Sequence, residues 1–365
     1  MNEQTKYFIA FSCVPAIGPT KFNLLYSYFS SLATAWQAPY SELLQSGLDE
    51  KSTKELITVR NKINLDEILE TLDKHNIQVL TLENPDYPPL LKQIHNPPFL
   101  LYYKGILSDP RDEFAISVVG TRKISTYGKQ VTHHLVSDLT HHQLVIVSGL
   151  AFGVDALAHQ TCLEAGGRTI AVVACGLDKN SIYPAANLDL AKDIVSSGGL
   201  ILSEYPPFTQ PQKFFFPQRN RIVSGLSLGT LVIEAPLKSG ALLTAKLALD
   251  QNREVFATPG NILSANSAGP HQLIKLGAKL VSETEDILDT LNLSSAESFL
   301  TAKKIIASSP LEAKILKNLS HEPTHIDELI RLSGLDSATI NSTLTLMEIT
   351  GKVKNLGAMM YVISR

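Results

Sequence analysis

The sequence predicts an α/β protein with a Rossmann-like, mostly parallel sheet, an all-helical N-terminal module and a C-terminal winged-helix domain. Three observations lead to this prediction. Short, nearly continuous apolar runs alternate with helical periods between residues 79 and 283, as in parallel strands that are buried on both faces. Helical periods without such runs come before them. Three short helical periods and a hairpin pattern follow them.

The first 76 residues are expected to form a small helical domain. Helical periods cover residues 7–14, 19–29, 40–46 and 65–75, and the turn signals between them include Pro15, Gly18 and Gly47. The turn at residues 15–19 resembles a helix-hairpin-helix or sterile-alpha element, some of which meet DNA phosphates. A plain connection between two helices is the simpler interpretation.

Residues 77–293 are expected to form the Rossmann-like domain. Helical periods separate most of the later strands, so the connections favour parallel pairing. The expected strands are 79–82, 99–104, 115–120, 144–149, 169–174, 200–205, 230–235, 254–258 and 279–283. The expected helices between them are 127–141, 154–165, 187–196, 241–251 and 271–276.

A linker rich in Ser and Ala is expected at residues 294–309, and a winged helix at 310–365. The winged helix is expected to contain helices 311–319, 326–334 and 337–350 and a hairpin of 352–355 with 359–363 around Gly357. Winged helices often bind DNA, but this segment carries six basic and six acidic residues and therefore lacks a basic footprint. Contact with a protein, or dimerisation, is at least as good an interpretation.

Composition limits the classes of function. The 365 residues are 44% hydrophobic and 18% charged, and their net charge is -3, which argues against general polyanion binding. No apolar run reaches the roughly 20 residues of a membrane-spanning helix, and no signal-peptide pattern opens the chain, so a cytoplasmic protein without membrane contact is expected. The widely spaced Cys13, Cys162 and Cys175 predict packing roles instead of disulfides or a zinc site.

Basic residues are nevertheless concentrated in two segments that lack carboxylates. Residues 114–137 hold Arg122, Lys123 and Lys129, and residues 206–233 hold Lys213, Arg219 and Arg221. A solvated surface is the ordinary interpretation of one such segment. Two of them in an acidic chain point to a local anion site.

The turns that follow the predicted strands carry groups suited to phosphate. Gly120, Thr121 and Arg122 follow one strand, residues 148–153 follow the next, and Glu234 and Lys238-Ser239-Gly240 follow a third. Parallel sheets bind ligands at the carboxyl ends of their strands, where helix N-termini offer free N–H groups. Neither GxGxxG nor GxxxxGK[ST] is present, so no nicotinamide or ATP cofactor is expected. No metal is expected either, because the cysteines form no CxxC pair and no cluster with histidine.

The segment Lys213-Phe214-Phe215-Phe216-Pro217-Gln218-Arg219-Asn220-Arg221 alternates aromatic and cationic side chains. Aromatic rings stack on unpaired bases and cations neutralise phosphates, which is the combination expected for single-stranded nucleic acid. The phenylalanines can equally belong to a core, and one of them is expected there.

Candidate catalytic groups are few. Asp155 and His159 lie four residues apart on one predicted helix face, a spacing that suits acid–base chemistry or half of a metal site. A structural role near the helix start is the simpler interpretation. Glu204 and Glu234 each follow a strand and are expected to orient Arg219 or Arg221 through ion pairs. No Ser-His-Asp spacing is present, so a non-enzymatic protein is favoured.

Residues 117–122, 148–159, 219–227, 234–245 and 253–260 together resemble the DNA-processing protein A family, DprA or Smf. The resemblance implies a protein that binds and protects single-stranded DNA and loads RecA onto it during natural transformation and recombination. It also implies a homodimer formed through the Rossmann-like domain. The DNA pocket that it implies comprises Gly120, Thr121, Arg122, Lys213, Phe216, Arg219, Asn220, Arg221, Lys238, Ser239 and Gly240.

Two positions depart from the family pattern. Thr121 replaces a serine and keeps the hydroxyl. Gly269-Pro270-His271 replaces the commoner Gly-x-Asn, which leaves the geometry of that turn open.

Two other functions stay open. Leu228-Gly229-Thr230 before Glu234 partly resembles the Pro-Gly-Gly-x-Gly-Thr turn and catalytic Glu of lysine-decarboxylase-like phosphoribohydrolases, which process nucleotides on a related scaffold. A scaffold that recruits RecA with little DNA affinity of its own is the other alternative.

Overall fold

The computed structural model describes residues 3–293, 309–319, 323–349, 352–357 and 359–363. Its first part is a module of short helices. Asp49 and Ser31 cap two of them by accepting hydrogen bonds from the backbone N–H of Ser52 and Thr34 at 2.9 and 3.1 Å. The helices of this module are α1 (Glu3–Ser12), α2 (Pro19–Tyr28), α3 (Leu32–Gln37), α4 (Tyr40–Gln45), α5 (Glu50–Arg60) and α6 (Leu65–Lys74).

The core of this module continues into the sheet that follows it. The rings of Phe22 and Phe99 stack with centroids 3.9 Å apart. The hydroxyls of Ser12 and Tyr102 are hydrogen-bonded at 2.6 Å. Residues Met1–Leu291 accordingly form one compact unit, and the domain boundary at residue 76 stays a prediction.

The sheet of this unit contains each strand that the sequence predicts, with ends that differ by a few residues. Ala115–Val119 and Thr169–Val173 are buried along their whole length, as apolar strands covered on both faces are expected to be. The strands are β1 (Gln78–Thr81), β2 (Leu100–Gly105), β3 (Ala115–Val119), β4 (Val145–Ser148), β5 (Thr169–Val173), β6 (Leu200–Ser203), β7 (Gly229–Val232), β8 (Glu254–Ala257) and β9 (Lys279–Leu280).

The strand order is β1-β2-β6-β5-β4-β3-β7-β8-β9. Every pair from β6 to β9 along this order is parallel, whereas β2 is antiparallel to both β1 and β6. The chain adds β4, β5 and β6 on one side of β3 and then crosses to place β7 on the other side. The predicted mostly parallel α/β fold is confirmed, and its topological switch point, where such sheets bind ligands, lies beside β3.

Helices connect these strands. Those before β4 are α7 (Pro89–Lys92) and α8 (Thr126–His141). Those after it are α9 (Val154–Glu164), α10 (Leu188–Ser196), α11 (Phe215–Gly225), α12 (Gly240–Asp250), α13 (Ala268–Lys275) and α14 (Glu285–Thr290).

A second compact unit covers Asn292–Arg365. Ile315, Leu329, Ile340 and Leu344 are fully buried in its core. Its predicted helices and hairpin are confirmed, and a short strand that the sequence did not predict pairs with the hairpin. Its elements are α15 (Pro310–Leu316), β10 (Thr324–His325), α16 (Ile326–Ser333), α17 (Ser337–Ile349), β11 (Val353–Asn355) and β12 (Met360–Ile363).

The predicted linker at 294–309 lies outside the described residues apart from Ser309, whose hydroxyl accepts a hydrogen bond from Glu312 N at 3.2 Å and so caps α15. Over the described ranges, no helix is long and apolar enough to cross a bilayer. Burial raises the pKa of the Cys13, Cys162 and Cys175 thiols to about 11. All three are therefore protonated at neutral pH, in keeping with packing roles.

Candidate nucleic-acid interface

An open cleft of about 670 Å³ lies at the carboxyl ends of β3, β4 and β7. This is the position that the switch point predicts, and the volume lies in the range of ligand sites. The cleft brings together every residue of the predicted pocket except Arg221. Those that line it are Gly120, Thr121, Arg122, Lys213, Phe216, Arg219, Asn220, Lys238, Ser239 and Gly240.

The turn after β3 holds Arg122 at the cleft. Thr121 donates its backbone N–H to the carbonyl of Glu234 at 2.6 Å, and its own carbonyl accepts from Val154 N at 3.2 Å. A Cβ on Gly120 would lie 2.5 Å from Cγ2 of Val154, so this close approach requires glycine. The turn is thus fixed against the end of β7 and the start of α9, and the Arg122 side chain is exposed beside it.

Arg122 and two aromatic rings meet at one wall of the cleft. The guanidinium carbon of Arg122 lies 5.1 Å from the ring centroid of Phe216, within cation–π range. The Tyr183 ring meets Phe216 edge to face, with centroids 5.9 Å apart. Tyr183 is not among the residues that the sequence predicts for this site. Its position in the loop after the strand at 169–173, which ends at the same edge of the sheet, is the signal that would have found it.

The first turns of three helices contribute to the cleft, through Asp155 of α9, Phe216 of α11 and Gly240 of α12. Helix N-termini carry free N–H groups and a partial positive charge, which favours anions. Ser239 caps α12 by accepting a hydrogen bond from Ala241 N at 3.2 Å. The exposed Lys213 and Lys238 add full positive charges beside α11 and α12.

Arg219 is not an exposed cation but lies buried at the floor of the cleft. It is only 4% exposed, and its Nη1 donates to the carbonyl oxygens of Gly149, at 2.6 Å, and of Val172. A Cβ on Gly149 would lie 2.5 Å from Nη2 of Arg219. Burial lowers the pKa of Arg219, and the charge of Asp155 opposes this shift. Arg219 therefore ties the ends of β4 and β5 together beneath the site.

Asp155 and His159 do not act as a pair. The carboxylate of Asp155 accepts from Gly149 N at 3.2 Å, whereas Nδ1 of His159 is hydrogen-bonded to the hydroxyl of Thr169 at 2.7 Å. Burial raises the pKa of Asp155, and the Arg219 charge opposes this. Burial also lowers the pKa of His159 to about 3. Each side chain thus stabilises a different turn or strand of the sheet.

Arg221 lies outside the cleft lining, because Glu204 binds it. Its Nη2 donates to both carboxylate oxygens of Glu204, at 2.5 and 2.7 Å, and the two side chains are 15% and 14% exposed. Burial raises the pKa of Glu204, and Arg221 counteracts the shift. The ion pair predicted for Glu204 is present, and it connects the end of β6 to α11.

The ion pair predicted for Glu234 is wrong. The Glu234 carboxylate accepts hydrogen bonds from the hydroxyl and backbone N–H of Ser125, at 2.6 and 3.0 Å, and from Nδ2 of Asn266, at 3.4 Å. Ser125 caps α8 by accepting from Gly128 N at 3.0 Å. Glu234 is 2% exposed and holds the start of this helix, so it meets N–H and O–H donors in place of an arginine.

The turn at Gly269-Pro270-His271 opens α13. Gly269 donates its N–H to the carbonyl of Ala235 at 2.9 Å, and a Cβ at this position would lie 2.4 Å from the same oxygen. Nε2 of His271 is hydrogen-bonded to the carbonyl of Gly260 at 3.1 Å. The turn therefore packs against the segments that follow β7 and β8.

Family models and curated relatives match both units of the chain. A model described as DNA recombination-mediator protein A matches residues 78–292, and one described as the DprA winged helix domain matches residues 301–359. The Smf protein of Synechocystis sp. is 35% identical over 99% of this chain and 99% of its own length. The DNA processing protein DprA of Bacillus subtilis is 41% identical over 72% of this chain and 90% of its own length.

Solved structures agree with these matches. DNA processing protein A from Streptococcus pneumoniae has 34% identity and a TM-score of 0.66 over 79% of this chain and 98% of its own. The Helicobacter pylori protein has 34% identity and a TM-score of 0.52 over 59% of this chain and 96% of its own. Because the family model and the Synechocystis match each cover most of the sequence, the chain belongs to the DprA (Smf) family of DNA recombination-mediator proteins.

Proposed function

We propose that the chain binds single-stranded DNA in the cleft at the carboxyl ends of β3, β4 and β7. The observation that carries this proposal is the contact of Arg122 with the ring of Phe216, in a cleft that Lys213 and Lys238 also line. The Helicobacter pylori relative was solved to describe its single-stranded DNA binding mode, and its similarity to this chain supports the proposal.

The phosphates bind to the exposed cations Arg122, Lys213 and Lys238 and to N–H groups at the starts of α11 and α12. Thr121, Asn220 and Ser239 supply hydroxyl and amide groups. Gly120 lets its turn pack closely against Val154 of α9, and Gly240, where a Cβ would meet nothing within 4 Å, leaves room for the DNA backbone. Arg219 supports this surface from below. Arg221, paired with Glu204, contributes by fixing α11.

The bases are recognised by stacking. Phe216 offers an aromatic face, and every base has a face to stack on it, so binding tolerates any sequence. Duplex DNA keeps its bases paired and stacked, and therefore cannot use this contact. The proposal predicts a strong preference for single strands and a marked weakening by salt.

A competition experiment tests this proposal. Labelled oligo-dT bound to the protein is challenged with unlabelled oligo-dT or with a duplex of matched length and sequence composition. We expect the single strand to compete at least roughly tenfold better, since stacking contributes on the order of 1–3 kcal/mol per base. Equal competition by the duplex would remove Phe216 and the base contact from the proposal.

The role in the cell that we propose is recombination mediation in the cytoplasm. A homodimer formed through the Rossmann-like domain protects incoming single-stranded DNA and loads RecA onto it. Analytical ultracentrifugation tests for the dimer. Filament formation by RecA on DNA already coated with this protein, followed by electron microscopy, tests the loading step. If RecA forms no filaments on the coated DNA, the proposed loading step is contradicted.

We propose that the chain is not an enzyme. In the phosphoribohydrolase alternative Glu234 acts as the catalytic carboxylate, but here Ser125 and Asn266 engage both of its oxygens. Incubation of purified protein with nucleoside monophosphates, followed by chromatography, tests this directly. We expect no free base; its release, and its loss in Glu234→Gln, would favour the enzyme.

A further inference from the structure

We propose that Phe214 is a second stacking platform, which takes a base of single-stranded DNA just outside the cleft. This inference rests on the proposed function, because it extends the path of a strand already held in the cleft. The Phe214 side chain is 56% exposed. It stands between Lys213 and the start of α11, and Lys213 and Phe216 both line the cleft.

The direction of the two rings follows from helix geometry. Phe214 immediately precedes α11 and Phe216 is its second residue. Side chains two positions apart at a helix start do not face each other. Phe216 lines the cleft and Phe214 does not, so the Phe214 ring lies outside the cleft lining. A strand that leaves the cleft past Lys213 reaches Phe214 next.

Neighbouring aromatic rings hold the Phe214 ring in place. Its centroid lies 4.5 Å from that of Phe215 at an angle of 67°, and Phe215 lies 4.1 Å from Tyr205. The hydroxyl of Tyr205 donates a hydrogen bond to Oε1 of Gln218 at 3.1 Å, which holds the Tyr205 ring against α11. A ring ordered in advance loses little conformational freedom when a base stacks on it.

The charge around Phe214 suits a nucleic-acid strand. Residues 206–233 contain no carboxylate, and the carboxylate of Glu204, just before them, is bound by Arg221. Lys213, next to Phe214, is exposed. An exposed ring beside a cation, with no acidic side chain in the same segment, is the arrangement that serves base stacking and phosphate contact together.

Phe208 provides a matched control in the same segment. It is 55% exposed, and its ring meets His75 with centroids 5.7 Å apart. It does not line the cleft. Single exposed apolar residues of this kind are ordinary on protein surfaces, so removing Phe208 measures what the loss of any exposed phenylalanine does.

The experiment uses the full chain and oligo-dT in which one 2-aminopurine base, whose fluorescence is quenched by stacking, is moved along the strand. Affinity is measured for short strands that fill only the cleft and for longer ones. We expect Phe214→Ala to weaken binding of long strands about five- to tenfold and to leave short strands unaffected. It abolishes quenching at the outer position only. Phe214→Trp keeps an aromatic ring, so we expect it to retain the wild-type affinity for long strands and the quenching at the outer position. Phe208→Ala is expected to match wild type in both measurements.

Three outcomes overturn the inference. If Phe214→Ala binds long strands as wild type does and the quenching is unchanged, Phe214 is not a stacking platform. The proposed function survives this outcome provided that Arg122→Ala still weakens binding. Equal weakening for all lengths places Phe214 inside the cleft instead. No binding of oligo-dT by the wild-type chain rejects the inference and the proposed function together, and leaves a protein partner as the occupant of this surface.

Discussion

The guanidinium carbon of Arg122 lies 5.1 Å from the ring centroid of Phe216. One residue follows β3 and the other opens α11, so the fold brings together a cation and an aromatic ring that are far apart in the sequence. The contact orients the guanidinium, which is then available to a phosphate beside a stacked base. We therefore expect the phosphate and base contacts of the proposed site to be coupled at this pair.

The first prediction separates the charge of Arg122 from its planar shape. Arg122→Ala weakens oligo-dT binding and reduces the log–log salt slope by about 0.7, the value for one phosphate on a single strand. Arg122→Lys keeps the slope but loses the planar contact with Phe216, so binding weakens by about 0.5–1 kcal/mol. Fluorescence anisotropy across a salt series measures both. Lys129→Ala, in the same carboxylate-free segment but outside the cleft lining, is the control. An unchanged slope in Arg122→Ala would exclude Arg122 from the phosphate contacts.

The second prediction concerns the ion pair of Glu204 and Arg221. Glu204→Gln leaves the largely buried guanidinium without a charged partner, which lowers the free energy of unfolding by about 3 kcal/mol. Urea denaturation measures this loss. Glu254→Gln removes an exposed carboxylate of the same unit and is expected to be neutral within about 0.5 kcal/mol. Equal stabilities for the two variants would mean that the pair contributes no more than a surface charge.

The third prediction tests the close contact beneath the cleft. Gly149→Ala places a Cβ about 2.5 Å from the guanidinium of Arg219, which must then move from the carbonyl of Gly149. We expect a loss of about 1–3 kcal/mol of stability and weaker oligo-dT binding. For stability, Gly240→Ala is the comparison, because a Cβ there meets nothing within 4 Å. A Gly149→Ala protein as stable as wild type would show that Arg219 can move to accommodate the added Cβ without loss of stability.

The fourth prediction is a pH dependence of stability that originates at His159. Burial lowers its pKa from 6.5 to about 3, so the unfolded chain binds one more proton between these values. The stabilisation that neutral His159 contributes to the free energy of unfolding is therefore complete above about pH 6.5. It is lost as the pH falls toward 3, at about 1.4 kcal/mol per pH unit. Between pH 7 and 5, His159→Gln is expected to lose about 2 kcal/mol less than wild type in urea titrations. Identical losses in both proteins would contradict this origin.

The sequence predicts the sheet because each buried parallel strand is a nearly continuous apolar run. It predicts the cleft because the strand ends of such a sheet share one edge. Helices α3 and α5 were missed for lack of a clear apolar period, although Ser31 and Asp49, which cap them, are a recognisable signal. The antiparallel pairing of β2 with β6 depends on contacts between distant segments, which local patterns do not encode.

Within the site, the sequence distinguishes residue types but not their surroundings. Arg219 and Arg221 have the same side chain two positions apart on α11, yet one lies on the cleft floor and the other binds Glu204. Their separation around the helix gives them different neighbours. Which neighbour each one meets is set by the packing of α11 against the sheet, and only the structure supplies that information.

We infer that the open cations of the cleft, and not the paired ones, hold the phosphates of a single strand. The most direct measurement is the salt dependence of oligo-dT binding by Lys238→Ala and Arg221→Ala side by side. We expect Lys238→Ala to reduce the log–log slope by about 0.7, and Arg221→Ala, measured where it remains folded, to retain the wild-type slope. A slope unchanged in Lys238→Ala, or reduced in Arg221→Ala alone, would contradict it.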